Sequence, residues 1–214
     1  MEITWFGLSC FRLSERGGIS IVCDPYDHQQ VGFSSLKLKA DVVTISHDAP
    51  GHNHLAAVKG DPYIIQGPGE FEIGGVFVTG VRTNGKKRNP DEPYNTLYLF
   101  DYDGLSVVHL GDISRVPTQA EVEALGQVDV VLVPVGGGGS LTPDKAVEVI
   151  NILEPSIVIP MHYALPESTL NLLPLSRFLK EMGVERAEPQ PTVKIERSRL
   201  PEETQVIVLE ARKS

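Results

Sequence analysis

The sequence predicts an α/β domain in which two β-sheets are sandwiched between helices. Over the first 110 residues, short β-branched and aromatic runs alternate with Gly, Pro and Asp, leaving room for at most one helix around residues 55–58. The second half alternates helical and strand patterns instead. A doubly wound sheet would need helices between its early strands, so two packed sheets fit this order better.

Strands are expected at residues 3–6, 10–13 and 19–23, and at 42–46 after the polar segment 37–41. Further strands follow at 63–65, 70–73 and 76–81, with Gly74-Gly75 as a hairpin turn, then at 96–102 and 105–110 around Asp103-Gly104. A helix over 118–125 precedes the buried strand 128–135. Thr142 reads as an N-cap with Pro143 at the first helical position, and Ala146, Val147, Ile150 and Leu153 recur at helical spacing. A strand at 156–160, a helix at 175–182 stopped by Gly183, and a closing strand at 205–209 complete the order.

The 214 residues read as one domain over 1–214, with no low-complexity segment or linker. No apolar run is long enough to span a membrane, and Met1-Glu2-Ile3-Thr4-Trp5 lacks a signal peptide's basic start, so a cytoplasmic protein is expected. A net charge of -9 argues against a nucleic-acid partner. The dense basic run Lys86-Lys87-Arg88 reads first as a solvated loop tip and second as an anion-attracting loop near a site. Cys10 and Cys23 flank a hairpin turn around Arg16 and Gly17 and are expected as reduced core thiols able to face each other across two strands.

The chemistry concentrates where strands end. Val42-Val43-Thr44-Ile45 runs into Ser46-His47-Asp48-Ala49-Pro50-Gly51-His52-Asn53-His54, which places three histidines and a carboxylate within eight positions of a chain that has six histidines. Imidazole and carboxylate are donors that zinc and similar ions take, and an apolar strand is a rigid mount for them. Val107-Val108-His109-Leu110 leads likewise into Gly111-Asp112, and Ile157-Val158-Ile159-Pro160-Met161 into His162. Three strand ends can converge on one edge.

This pattern resembles the metallo-β-lactamase superfamily, and its lactonase-like hydrolases in particular. Trp5-Phe6-Gly7-Leu8-Ser9-Cys10-Phe11, Asp24-Pro25, Gly67-Pro68-Gly69-Glu70-Phe71, Asn95-Thr96, Pro134-Val135-Gly136-Gly137 and Ile159-Pro160-Met161-His162-Tyr163 carry the likeness along most of the chain. The resemblance implies a four-layer αββα sandwich. Against the family's His-x-His-x-Asp-His signature, His47 and His52 match the first and last histidines, while Ala49 and Gly51 replace the second histidine and the aspartate. Asp112 matches the carboxylate that bridges two metals, and His162 the C-terminal ligand. A further family histidine falls near residues 81–85, where this chain has Val81-Arg82-Thr83-Asn84-Gly85. The resemblance thus implies His47, His52, Asp112 and His162 as ligands of at most one ion, zinc first, with manganese and iron as alternatives.

Asp48 and His54 are weighed as stand-ins for the lost ligands against ordinary loop and helix-start roles. His109 reads as a hydrogen-bonded core histidine, and His28 has no partner apparent in sequence. The loop Gly136 to Gly139 could cradle an anion through backbone amides, or simply be flexible. Two functions compete: a metal-dependent hydrolase of a small ester, lactone or phosphoester, and an inactive member whose cleft binds a ligand or protein.

Overall fold

Sheets of six and seven strands face each other across a shared apolar core. The computed structural model describes residues 1–83 and 94–213, so Lys86-Lys87-Arg88 lies outside the described residues. In chain order the elements are β1 (Glu2–Gly7), β2 (Cys10–Ser14), β3 (Ser20–Cys23), α1 (His28–Val31), β4 (Leu38–Lys39), β5 (Val42–Ile45), β6 (Val58–Lys59), β7 (Tyr63–Gln66), β8 (Gly69–Ile73) and β9 (Val76–Thr83). There follow β10 (Asn95–Tyr102), β11 (Leu105–His109), α2 (Gln119–Leu125), β12 (Val130–Pro134), α3 (Pro143–Leu153), β13 (Ile157–Met161), α4 (Leu175–Glu181), β14 (Val193–Lys194) and β15 (Gln205–Val206).

The first sheet runs β14-β1-β2-β3-β5-β7 and the second β15-β13-β12-β11-β10-β9-β8. Alternation along the strands sorts side chains between two cores. Ile3, Trp5, Phe11, Leu13, Ile21 and Val42 point between the sheets, toward Tyr98, Phe100 and Val107 of the second. Fully burying such an aliphatic or Phe side chain contributes about 1.5–3 kcal/mol. Phe6, Val22, Val43 and Ile45 point outward and are covered by Val31, Leu38, Ala57 and Val58.

The mixed α/β sandwich of two sheets and helices is the expected class, but its two outer layers are unequal. The second sheet is covered by α2, α3 and α4; α2 is opened by a capping box in which Thr118 and Glu121 satisfy each other's backbone amides. The buried stripe of α3 is Ala146, Val149, Ile150 and Leu153; Val147 is only partly buried, because i, i+3, i+4 and i+7 select Val149 in its place. Thr142 stands at the cap position without a side-chain cap bond. Over the first sheet, among the described residues, the regular elements are the four-residue α1, a 3-10 turn at Leu55–Ala57 and the parallel pair β4–β6. The expected closing strand is shorter: β15 ends at Val206, and Leu209 bridges Gln190 instead.

Cys10 and Cys23 are free, buried thiols on neighbouring strands, as expected, but they do not face each other. Register places Phe11 opposite Cys23, so Cys10 lies one residue away and on the opposite face. Cys10 joins the outer core and Cys23 the inner one. No helix among the described residues is long and apolar enough to cross a membrane.

Candidate metal centre

The site forms where parallel strands end. In the first sheet β3 and β5 are parallel, and in the second β11, β12 and β13 are parallel, so each group delivers its carboxyl ends to one edge. Asp24 follows β3, Ser46 and His47 follow β5, Asp112 lies just beyond β11, and His162 follows β13. The two sheets are tied there by a hydrogen bond from Thr96 N to Ser46 O at 2.8 Å.

One donor atom from each of His47, His52 and Asp112 lies within 4.8 Å of the others. The His47 and His52 rings sit 4.1 Å apart, centroid to centroid. His162 stands at the rim of this trio, its ring stacked 5.7 Å from that of His52 and its Nε2 3.8 Å from Asp112 Oδ1. Ligands at roughly 2.0–2.1 Å around a tetrahedral ion are about 3.4 Å apart, so small side-chain movements would close these donors around one cation.

Asp24, which sequence reasoning did not weigh as a site residue, organises the cluster. It is fully buried, and its Oδ2 lies 2.8 Å from His52 Nδ1 while accepting from Ser46 Oγ at 2.6 Å; its Oδ1 accepts from Ser46 N at 2.7 Å. Because the Ser46 hydroxyl proton goes to Asp24, Ser46 Oγ is left to accept from His47 Nδ1 at 3.0 Å. Both imidazoles thereby carry a proton on Nδ1 and leave Nε2 for a ligand. Burial is the largest single influence and opposes charge on Asp24 and His52, yet their mutual hydrogen bond and the attraction of neighbouring charges together outweigh it, lowering the Asp24 pKa and raising that of His52. Burial, aided by neighbouring His52, pushes His47 down to about 4. His162 is also lowered, by burial first, against the charge of Asp112.

Asp112 is held from behind. Its N–H donates to Asn95 Oδ1 at 2.9 Å, while Asn95 Nδ2 donates to Leu110 O at 3.0 Å. Gly111, at φ +59°, lets this turn close: a Cβ there would lie 2.3 Å from Asn95 Oδ1 and 2.6 Å from Ser46 Cβ. Asp112 Oδ1 is buried without a hydrogen-bond partner. A buried carboxylate oxygen left bare beside imidazole nitrogens suits a cation, so the residues present fit a metal ion.

His162 is positioned by its backbone N–H, which donates to Leu8 O at 3.1 Å, and by the close approach of Gly136, where a Cβ would stand 2.2 Å from His162 O. Leu8, Asp24 and His162 all have positive φ, of 47°, 44° and 53°. Such strain costs of order 1–3 kcal/mol per residue and gathers at functional sites.

The other expected residues fall outside the donor cluster. Asp48 is exposed and accepts from Asn53 Nδ2, and His54 precedes the 3-10 turn. His109 is fully buried with Nε2 2.8 Å from Ser9 O and Nδ1 accepting from Gly111 N, the core role expected of it. His28 has a partner after all, Asp27 Oδ1 at 3.8 Å. Ala49 and Gly51 line the cavity and offer no donor; Thr83 is buried and donates through Oγ1 to Asn95 O. Asn84 and Gly85 lie outside the described residues. Of the glycine loop, Gly138 reaches the cavity wall.

Comparison with known proteins bears on the fold and the family. Residues 2–162 match the beta-lactamase superfamily domain. A UPF0173 protein of Pyrococcus abyssi is 32% identical over 187 residues, spanning 76% of this chain and 83% of its own. A relative from Thermococcus kodakarensis named a UPF0173 metal-dependent hydrolase is 32% identical over 193 residues, spanning 76% and 84%. Among solved structures, a candidate zinc-dependent hydrolase of the metallo-β-lactamase superfamily from Thermotoga maritima superposes with a TM-score of 0.79 at 38% identity, covering 97% of each chain. Fold, strand-end residues and relatives together mean that this chain belongs to the metallo-β-lactamase superfamily, among proteins named metal-dependent hydrolases.

Proposed function

We propose that the protein is a hydrolase of a small ester, lactone or phosphoester that works with one divalent ion held by His47, His52 and Asp112, with His162 beside them. The observation that carries this reading is the bare, buried Asp112 Oδ1 among imidazoles whose free nitrogens are all Nε2. Two imidazoles and a carboxylate are a zinc donor set, and Ala49 and Gly51 leave too few donors among the described residues for a second ion. When bound, the ion supplies Lewis acidity, which polarises the substrate oxygen and acidifies water toward a pKa of about 7.

The chain's own residues do the remaining work. Asp24 keeps the His52 proton on Nδ1 and, through Ser46, that of His47. Asn95 fixes the Asp112 backbone, and Leu8 anchors that of His162. Gly51 stands where the family carries the carboxylate that orients water, so slow turnover on generic family substrates is expected.

The test is metal analysis of protein purified without added metal, followed by turnover of acetyl ester, lactone and phosphodiester substrates with and without zinc. One ion per chain, and turnover abolished by chelation and by His52→Ala, would support the proposal. Two ions at full occupancy would overturn the one-ion assignment. No ion in the parent, with one gained by Ala49→His plus Gly51→Asp, would favour the second reading, a binding module, which the two donor losses motivate.

A further inference from the structure

The donor cluster forms the floor of a cavity of about 540 Å³, within the range of small-molecule sites. Its walls are chemically one-sided. Leu8, Val31, Pro50, Leu170 and Leu172 are apolar, and Gln30 and Asn171 contribute neutral amides. Among the described lining residues there is no Lys or Arg. No cationic side chain among the described lining residues is there to pair with a phosphate, and the chain's net charge of -9 disfavours the approach of an anion.

The leucines sit on a strap between β13 and α4. Leu173 N donates to Gly136 O at 2.7 Å, Ala164 N to Leu173 O at 2.9 Å, and Thr169 N to Val31 O at 3.2 Å, so the strap is pinned at both sides of the cavity mouth. Yet Leu170 remains 37% exposed there. Apolar side chains held in place at the mouth of a cavity present a surface that an apolar ligand group would cover.

We propose that this cavity selects an uncharged acyl ester or lactone with an apolar arm, and that Leu170 and Leu172 on the strap hold the arm. The inference rests on the hydrolase reading for the reaction and narrows its substrate class, away from phosphoesters. Hydrolysis adds water across the acyl C–O bond: its hydroxyl joins the carbonyl carbon, its proton goes to the departing alkoxide, and an acid and an alcohol result.

The test uses metal-free full-length protein and non-hydrolysable primary amides, butanamide, hexanamide and octanamide, with inorganic phosphate and phenyl phosphate alongside, all followed by ligand-observed NMR. Amide affinity should rise about fourfold per added methylene until the cavity is filled. In Leu170→Ser plus Leu172→Ser that rise should flatten while zinc affinity stays at the parent value. Affinity independent of chain length in the parent, or phenyl phosphate binding more tightly than octanamide, overturns the inference. Because these readouts need no metal, a zinc-loaded enzyme that fails to turn over any ester would sink the hydrolase reading separately. Turnover of a series of esters from acetyl to octanoyl with no dependence on acyl length would leave that reading standing and remove this one.

Discussion

The carboxylate of Asp24 sits 2.8 Å from His52 Nδ1, and this one contact decides which nitrogen of His52 is free for a ligand. Asp24→Asn keeps the shape but offers an amide donor where an acceptor is needed. His52 would then carry its proton on Nε2, and zinc affinity is expected to fall about 10–100-fold, read by calorimetric titration. Affinity equal to the parent's would show that Asp24 serves the fold alone.

His47 couples stability to pH in the metal-free protein. Its pKa is about 4 when folded against an ordinary 6.5, so between those values the unfolded chain binds a proton that the folded chain refuses. Its contribution is present above about pH 6.5 and is lost as pH falls toward 4. His109 and His162 act with the same sign, and His52, raised, with the opposite one. Urea midpoints measured across this window should vary less steeply with pH in His47→Asn than in the parent.

Gly111→Ala tests the turn behind Asp112. The added methyl meets Asn95 Oδ1 and Ser46 Cβ at a positive φ, so a loss of about 2–4 kcal/mol is expected in denaturant unfolding. Weakened zinc binding should accompany it. Unchanged stability would mean that the Asn95 contact yields readily.

Burial raises the pKa of both cysteines, with Cys10 also feeling the charge of Cys23. A thiol-specific chromogenic reagent should react slowly with the folded protein and with two groups per chain in guanidinium. Fast reaction of either thiol without denaturant would contradict the packing described for it.

The strands and hairpins were legible because alternating runs broken by Gly-Gly and Asp-Gly leave few other conformations. The donor residues stood out because His47, His52, Asp112 and His162 each follow or terminate a strand run. Asp24 entered only through the Asp24-Pro25 likeness and not as a site residue: it is a lone carboxylate whose partner is 28 positions away, and the parallel pairing of β3 with β5 brings them together. The cover of the first sheet was equally silent, since two-residue strands such as β4 and β6 and a four-residue helix are too short to show a period. The facing of Cys10 depends on a one-residue register that the turn around Gly17 sets.

The donors are divided between the sheets: His47 and His52 come from the first, Asp112 and His162 from the second. A cation gripped by all of them would act as a cross-brace, resisting any shear of one sheet over the other. Such a brace stabilises by RT ln(1 + [L]/Kd), about 2.7 kcal/mol at a hundredfold excess over the dissociation constant. Amide exchange should then slow together at the Ser46 and Gly111 edges, on opposite walls of the seam, while the far hairpin at Gly74-Gly75 keeps its own rate.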